Sequence, residues 1–159
     1  MISGLLLSEV VEKVDIKGAI MLGDSILMKL LTYITHPGLS NSQDIMLHPI
    51  AFAGWIGLLV TMLNLLPIGQ LDGGHIAYAM LGQKHDLVAK IALFSLIPLS
   101  FISLNWLVWG LLILVLMRSA KHPPIQDIHI PLSSFNKRVG YLCLFIFVIC
   151  FIPAPFQFS

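Results

Sequence analysis

The chain has 159 residues, 57% of them hydrophobic and only 11% charged, with a formal net charge of +1 and a mean hydropathy of +0.91. Soluble domains carry roughly 25% charged residues, so this composition points to a chain that lies in a lipid bilayer. No basic face exists to take up phosphates, which excludes a nucleic-acid partner.

In chain order, Ile2 to Leu7 is too short to span a membrane. Ser8 to Val14 carries charges at helical spacing and reads as the last turns of a helix. Ile16 to Thr35 is apolar but interrupted by Lys17, Asp24 and Lys29, the pattern of an amphipathic, interfacial helix. His36 to Asp44 has the Pro, Gly, Ser and Asn content of an exposed loop. From Pro49 to Leu66 no charge occurs over eighteen residues, close to the roughly 20 that cross about 30 Å of hydrocarbon. Pro67, Gly69, Gly73 and Gly74 then break the helix, and His75 to Gly82 resumes it.

Gln83 to Asp86 makes a polar turn, and Leu87 to Leu104 is a second span, kinked by Pro98. Trp106 to Met117 is a third, its tryptophans suited to the interfacial belt. Arg118 to Arg138 forms a polar loop, and Tyr141 to Ile152 is a fourth span, stopped by Pro153 and Pro155. Cys143 and Cys150 are seven residues apart on that helix, about 10 Å, beyond the roughly 7 Å limit for a disulfide. No basic segment precedes the first apolar residues, so no cleaved signal peptide is expected.

The predicted fold is therefore all-α: a polytopic transmembrane helical bundle with one broken helix at Pro67 to Gly74. It forms a single membrane domain over residues 1–159. Residues 1–48 supply a partial helix, an amphipathic helix and a loop, and residues 49–153 supply about four membrane-embedded helices. Lys84, Lys90, Arg118, Lys121, Lys137 and Arg138 follow the break, whereas the loop before His48 has no Lys or Arg. This bias places the break near the cytoplasmic side and the C-terminus outside.

The break carries the chemistry. Asn64 and Asp72 end an apolar run, and polar groups at that depth must face protein, water or a metal. Proline frees backbone groups and the glycine pair admits close backbone approach, so the carboxylate of Asp72 can be turned inward. Such a carboxylate can bind a metal, relay protons or serve as the N-cap of the helix that follows.

The spacing Asn64-x-x-Pro67-x-x-x-Leu71-Asp72-Gly73-Gly74 resembles the Asn-x-x-Pro-x-x-x-Leu-Asp-Gly motif of the site-2 protease family of intramembrane zinc metalloproteases. His48 to Trp55 and His122-Pro-Pro124 look like segments that flank it in archaeal and bacterial members, so the resemblance extends from about Gly18 onward. It implies cleavage of a transmembrane peptide substrate by zinc, which would polarise the carbonyl and lower the pKa of a bound water. Two histidines of a His-Glu-x-x-His helix and the motif aspartate, here Asp72, would hold the metal. Asn64 would contact an oxyanion or the substrate backbone, and His75 would stand behind the ligands.

The sequence departs from the family at one point. None of its six histidines begins His-Glu-x-x-His, and its only glutamates are Glu9 and Glu12, whose spacing fits a solvated helix face. His48 and His122 precede prolines and suit loop ends; His36, His85 and His129 read as exposed. The chain is therefore expected to be the C-terminal half of such a protease, truncated, split or catalytically dead, and inactive alone. Zinc would bind only if a separate polypeptide supplied the missing histidines. A non-catalytic membrane protein that binds clients is the first alternative. A small transporter with a broken-helix site is the second, although no matching broken helix occurs in another half.

Overall fold

The computed structural model describes residues 1–12, 20–40, 42–117 and 132–158. The readings of Lys17, Gly18, Arg118, Lys121, His122-Pro-Pro124 and His129 fall outside these residues. Two compact units are present: Met1–Thr61 with Ile149–Ser159, and Met62–Val148.

The first unit opens with helix α1 (Ile2–Leu6) and strand β1 (Glu9–Glu12). Strand β2 (Ile20–Leu22), helix α2 (Ile26–Thr35), strand β3 (Gln43–Met46) and helix α3 (Pro49–Asn64) follow, the last residues of α3 belonging to the second unit. The end of the chain adds strand β4 (Phe156–Phe158). β1 pairs antiparallel with β3, Glu9 opposite Met46 and Glu12 opposite Gln43. β2 pairs antiparallel with β4, Ile20 opposite Phe158 and Leu22 opposite Phe156.

Short helices and tight turns build the core of this unit. Ser25 caps α2, its Oγ accepting from the Met28 amide at 3.0 Å, which fixes where the helix starts after Gly23 and Asp24. The inner face of α2 places Met28 in a cluster with Leu5 and Ala51, flanked by Leu31 and Leu47. Trp55, fully buried, donates from Nε1 to the Gly23 carbonyl at 2.7 Å and meets the Phe156 ring edge-on at 5.3 Å. The indole thus joins α3 to the ends of β2 and β4. Trp55→Phe leaves the Gly23 oxygen without this donor and is expected to cost about 1–3 kcal/mol, read as a lowered Tm with an unchanged far-UV spectrum.

The second unit holds helices α4 (Asp72–Leu81), α5 (His85–Ser100), α6 (Asn105–Met117) and most of α7 (Ser134–Cys150). A 3₁₀ turn, Gly82–Lys84, links α4 to α5. α5 packs on α6, where Gly110 lets the Leu96 side chain close in. Pro98 lies inside α5, two residues before its end, and cannot donate to the Phe94 carbonyl one turn earlier.

The structure corrects the predicted fold in two respects. Four strands form two sheets among the described residues, so the chain is not all-α. No helix among those residues is long and apolar enough to cross a membrane, so the polytopic transmembrane bundle does not hold. The apolar runs are real, but turns divide them: α3 and α5 have 16 residues each, α6 has 13 and α7 has 17. At 1.5 Å per residue these reach about 20–26 Å, against about 30 Å of hydrocarbon. α7 also spends its first turns on Asn136, Lys137 and Arg138. The orientation drawn from basic loops presupposed those crossings.

Smaller corrections have local causes. Glu9 to Glu12, read as helical, is a strand, because Val10 and Val11 are β-branched and β3 offers a ladder. Ile20–Leu22 is a strand too, so the expected amphipathic helix shortens to Ile26–Thr35. Cys143 and Cys150 are free, as the spacing requires.

Candidate functional site

α3 ends at Asn64 because Pro67 follows: its ring excludes the carbonyl of residue 63 and it has no N–H to donate. The chain then turns three times. The Leu66 amide donates to Leu63 O at 3.3 Å, Ile68 to Leu66 O at 2.8 Å and Leu71 to Ile68 O at 3.2 Å. Gly69 takes a left-handed φ of 56° within this loop. Leu66 and Ile68 are buried and anchor it.

α4 begins at Asp72, and the His75 amide donates to Leu71 O at 3.0 Å as the first helical bond. The interruption thus covers residues 65–71, and Gly73 and Gly74 lie inside the helix rather than in the break. Leu71, in extended backbone (φ −66°, ψ 158°), is the N-cap, and Asp72 is the first helical residue. This corrects the reading of Asp72 as a cap. Its carboxylate stands in the first turn, where the positive end of the helix dipole favours an anion.

The glycines explain how a helix can start there. A Cβ on Gly73 would collide with the carbonyl groups of Leu65 and Leu66, and one on Gly74 with those of Gly69 and Ile68. The first turn of α4 is therefore seated on the backbone of the loop that precedes it. Asn64 and Asp72 flank the contact between Leu65 and Gly73 in sequence, and both side chains are exposed. His75 is exposed as well, one turn beyond Asp72, and residues at this i, i+3 spacing share a helix face.

The arrangement offers an amide, a carboxylate and an imidazole on the surface of a rigid turn. Among the described residues no group of three or more His, Cys, Asp or Glu side chains gathers in a way that could hold a metal ion. These residues alone do not form a zinc site, and Asp72 fits at most one ligand position.

The other histidines have structural places. The Ile50 amide donates to His48 Nδ1 at 3.2 Å, so His48 closes the start of α3. His36 ends α2 beside Thr35 Oγ1, 3.0 Å from Nδ1. His85, expected at the surface, is fully buried. Its ring meets Tyr78 edge-on at 5.8 Å, and Nδ1 lies 3.9 Å from the Asp86 carboxylate. The polar run Gln83 to Asp86 hides this burial; the one hint is the seven-residue spacing to Tyr78. Glu9 and Glu12 are exposed strand residues of the first unit.

Peptidase family M50 matches residues 7–102. A probable zinc metalloprotease of Arabidopsis thaliana, EGY2, chloroplastic, is 34% identical over 125 residues, covering 76% of this chain and 22% of the relative. The probable zinc metalloprotease EGY1, chloroplastic, of Oryza sativa subsp. japonica is 29% identical over 115 residues, 71% of this chain and 20% of the relative. The probable zinc metalloprotease EGY3, chloroplastic, of Oryza sativa subsp. indica is 34% identical over 120 residues, 74% of this chain and 20% of the relative. The chain thus spans about a fifth of the length of the curated relatives it matches. No solved structure matches it. With the M50 match covering more than half of its residues and the Asn64 to Gly74 motif inside that match, the chain belongs to peptidase family M50, the site-2 protease family.

Proposed function

We propose that this chain supplies the aspartate side of an intramembrane zinc metalloprotease site, and that a His-Glu-x-x-His segment outside these 159 residues, in the same protein or on a second polypeptide, supplies the rest. One observation carries the reading: Asn64 and Asp72 are both exposed beside a turn whose backbone is interlocked through Gly73 and Gly74. Such a turn fixes the backbone positions from which the two side chains project, as a site completed by further residues requires. The zinc named in the relatives supports the metal.

In this reading Asp72 is a zinc ligand and Asn64 donates from its side-chain amide to a substrate carbonyl. His75 hydrogen-bonds near the metal without ligating it. The substrate is an apolar membrane segment. Large exposed apolar side chains such as Phe94, Phe101 and Leu104 support association of the chain itself with lipid.

The second reading is a non-catalytic client-binding protein. It needs only groups that these residues supply, the exposed Asn64 and Asp72 beside the turn. Reconstitution in vesicles with a labelled transmembrane peptide separates the two. The protease reading expects no cleavage by the chain alone and chelator-sensitive cleavage once a His-Glu-x-x-His polypeptide is added. Peptide retention without cleavage in both arms favours the binder, and chelator-sensitive cleavage by the chain alone overturns a site completed from outside these residues.

A further inference from the structure

α2 has two apolar faces and only one of them is used. Met28 and Leu31 point to the Leu5 and Ala51 cluster, whereas Ile26, Leu30, Tyr33 and Ile34 are exposed, Tyr33 at 73%. At 3.6 residues per turn these four fall within an arc of about 100°. Lys29, also exposed, lies at one edge of the same side. α2 contains no Asp or Glu. Its ten residues reach about 15 Å, half of what a span needs.

We propose that α2 is an interfacial helix, lying along a bilayer surface with Ile26, Leu30, Tyr33 and Ile34 in the boundary between headgroups and acyl chains. Lipid is the occupant the surface fits, for two reasons. Exposed large apolar side chains extend well beyond α2, to Leu6 and Ile20 of its own unit and to Leu107, Leu111 and Val115 of the other. A protein partner covers one patch, whereas a bilayer solvates every apolar face it meets. The charge also complements a membrane: the lone cation sits at the rim of the stripe, where its stem can follow the apolar face while the ammonium reaches lipid phosphates. The phenol of Tyr33 suits the same depth, with its ring in apolar surroundings and its hydroxyl in the wet layer.

The inference rests on the membrane association proposed above, and site-directed spin labelling tests the two separately. Cys143→Ser removes the half-buried thiol; Cys150 is 3% exposed and burial pushes its thiol up, so it stays unlabelled. Single cysteines at Ile26, Leu30 and Ile34, with Lys29 and Ser40 as polar references, carry the nitroxide in the full chain. The chain is reconstituted in phosphatidylcholine vesicles containing phosphatidylglycerol. Labels at 26, 30 and 34 are expected to gain collisions with oxygen and lose collisions with a water-soluble nickel chelate relative to 29 and 40. Free access of the chelate to all positions overturns the proposal, because the stripe then faces water. Protection from both reagents overturns it in favour of a protein partner. A chain that does not float with the vesicles overturns membrane association as well.

Discussion

Gly73→Ala is expected to cost about 3 kcal/mol, the upper end of what an added methyl group costs in a tight site. The reason is geometric. Most overpacking is relieved by a side chain that rotates away, but the atoms facing Gly73 are the carbonyls of Leu65 and Leu66, part of the backbone that α4 rests upon. Relief requires either that the first turn of α4 unwind or that the loop after α3 shift. For a chain of this size, such a loss corresponds to a Tm lowered by about 6–12 °C. Gly57→Ala is the matched control. Gly57 lies within α3 with nothing within 4 Å of an added Cβ, so alanine there gains up to about 1 kcal/mol from helix propensity. Thermal unfolding of both variants in one detergent checks the pair. A Gly73→Ala chain that melts with the parent shows that the helix does not sit on the loop.

The same contact explains what the sequence could reveal and what it could not. Pro67, Gly69 and the Gly73-Gly74 pair mark the break by chemistry that acts within a few residues, so its place is legible. The starting residue of α4 depends on which backbone the glycines touch, and the sequence does not show that Leu65 and Gly69 lie beneath them. Hence Asp72 reads as a cap although Leu71 holds that position. β1 fails for a related reason. Charges at Glu9 and Glu12 satisfy helical spacing, but the outcome is set by β3, more than thirty residues away. Local pattern cannot weigh a partner at that distance.

Helix length is the widest departure. Apolar runs in the sequence continue through residues that the structure spends on turns: Leu65 and Leu66 after α3, and Phe101 to Leu104 after α5. Hydrophobicity reports that these residues avoid water, not that they are helical. The composition therefore retains its meaning for the surface, which carries Phe94, Phe101 and Leu104 outward, while the count of crossings drawn from it does not survive.

Loss of zinc on Asp72→Ala is the largest functional effect expected, and the structure makes it separable from a folding defect. Asp72 is exposed and is not the capping residue, so its removal forfeits little beyond a favourable interaction with the helix dipole, about 0.3–1 kcal/mol. In the chain assembled with a His-Glu-x-x-His polypeptide, loss of a true ligand should weaken zinc by more than about 100-fold, beyond the 10–100-fold that a supporting partner accounts for. His75→Ala serves as that reference: it should fall within the supporting range, since the imidazole is one turn away on the same face. Asp72→Asn retains the shape and removes the charge, so its zinc affinity separates charge from geometry at this position. Equilibrium dialysis against buffered zinc, with far-UV spectra confirming an unchanged helix content, reads all three variants. Zinc retained at parental affinity by Asp72→Ala removes this carboxylate from the ligand set and leaves the rigid turn as a substrate-holding device.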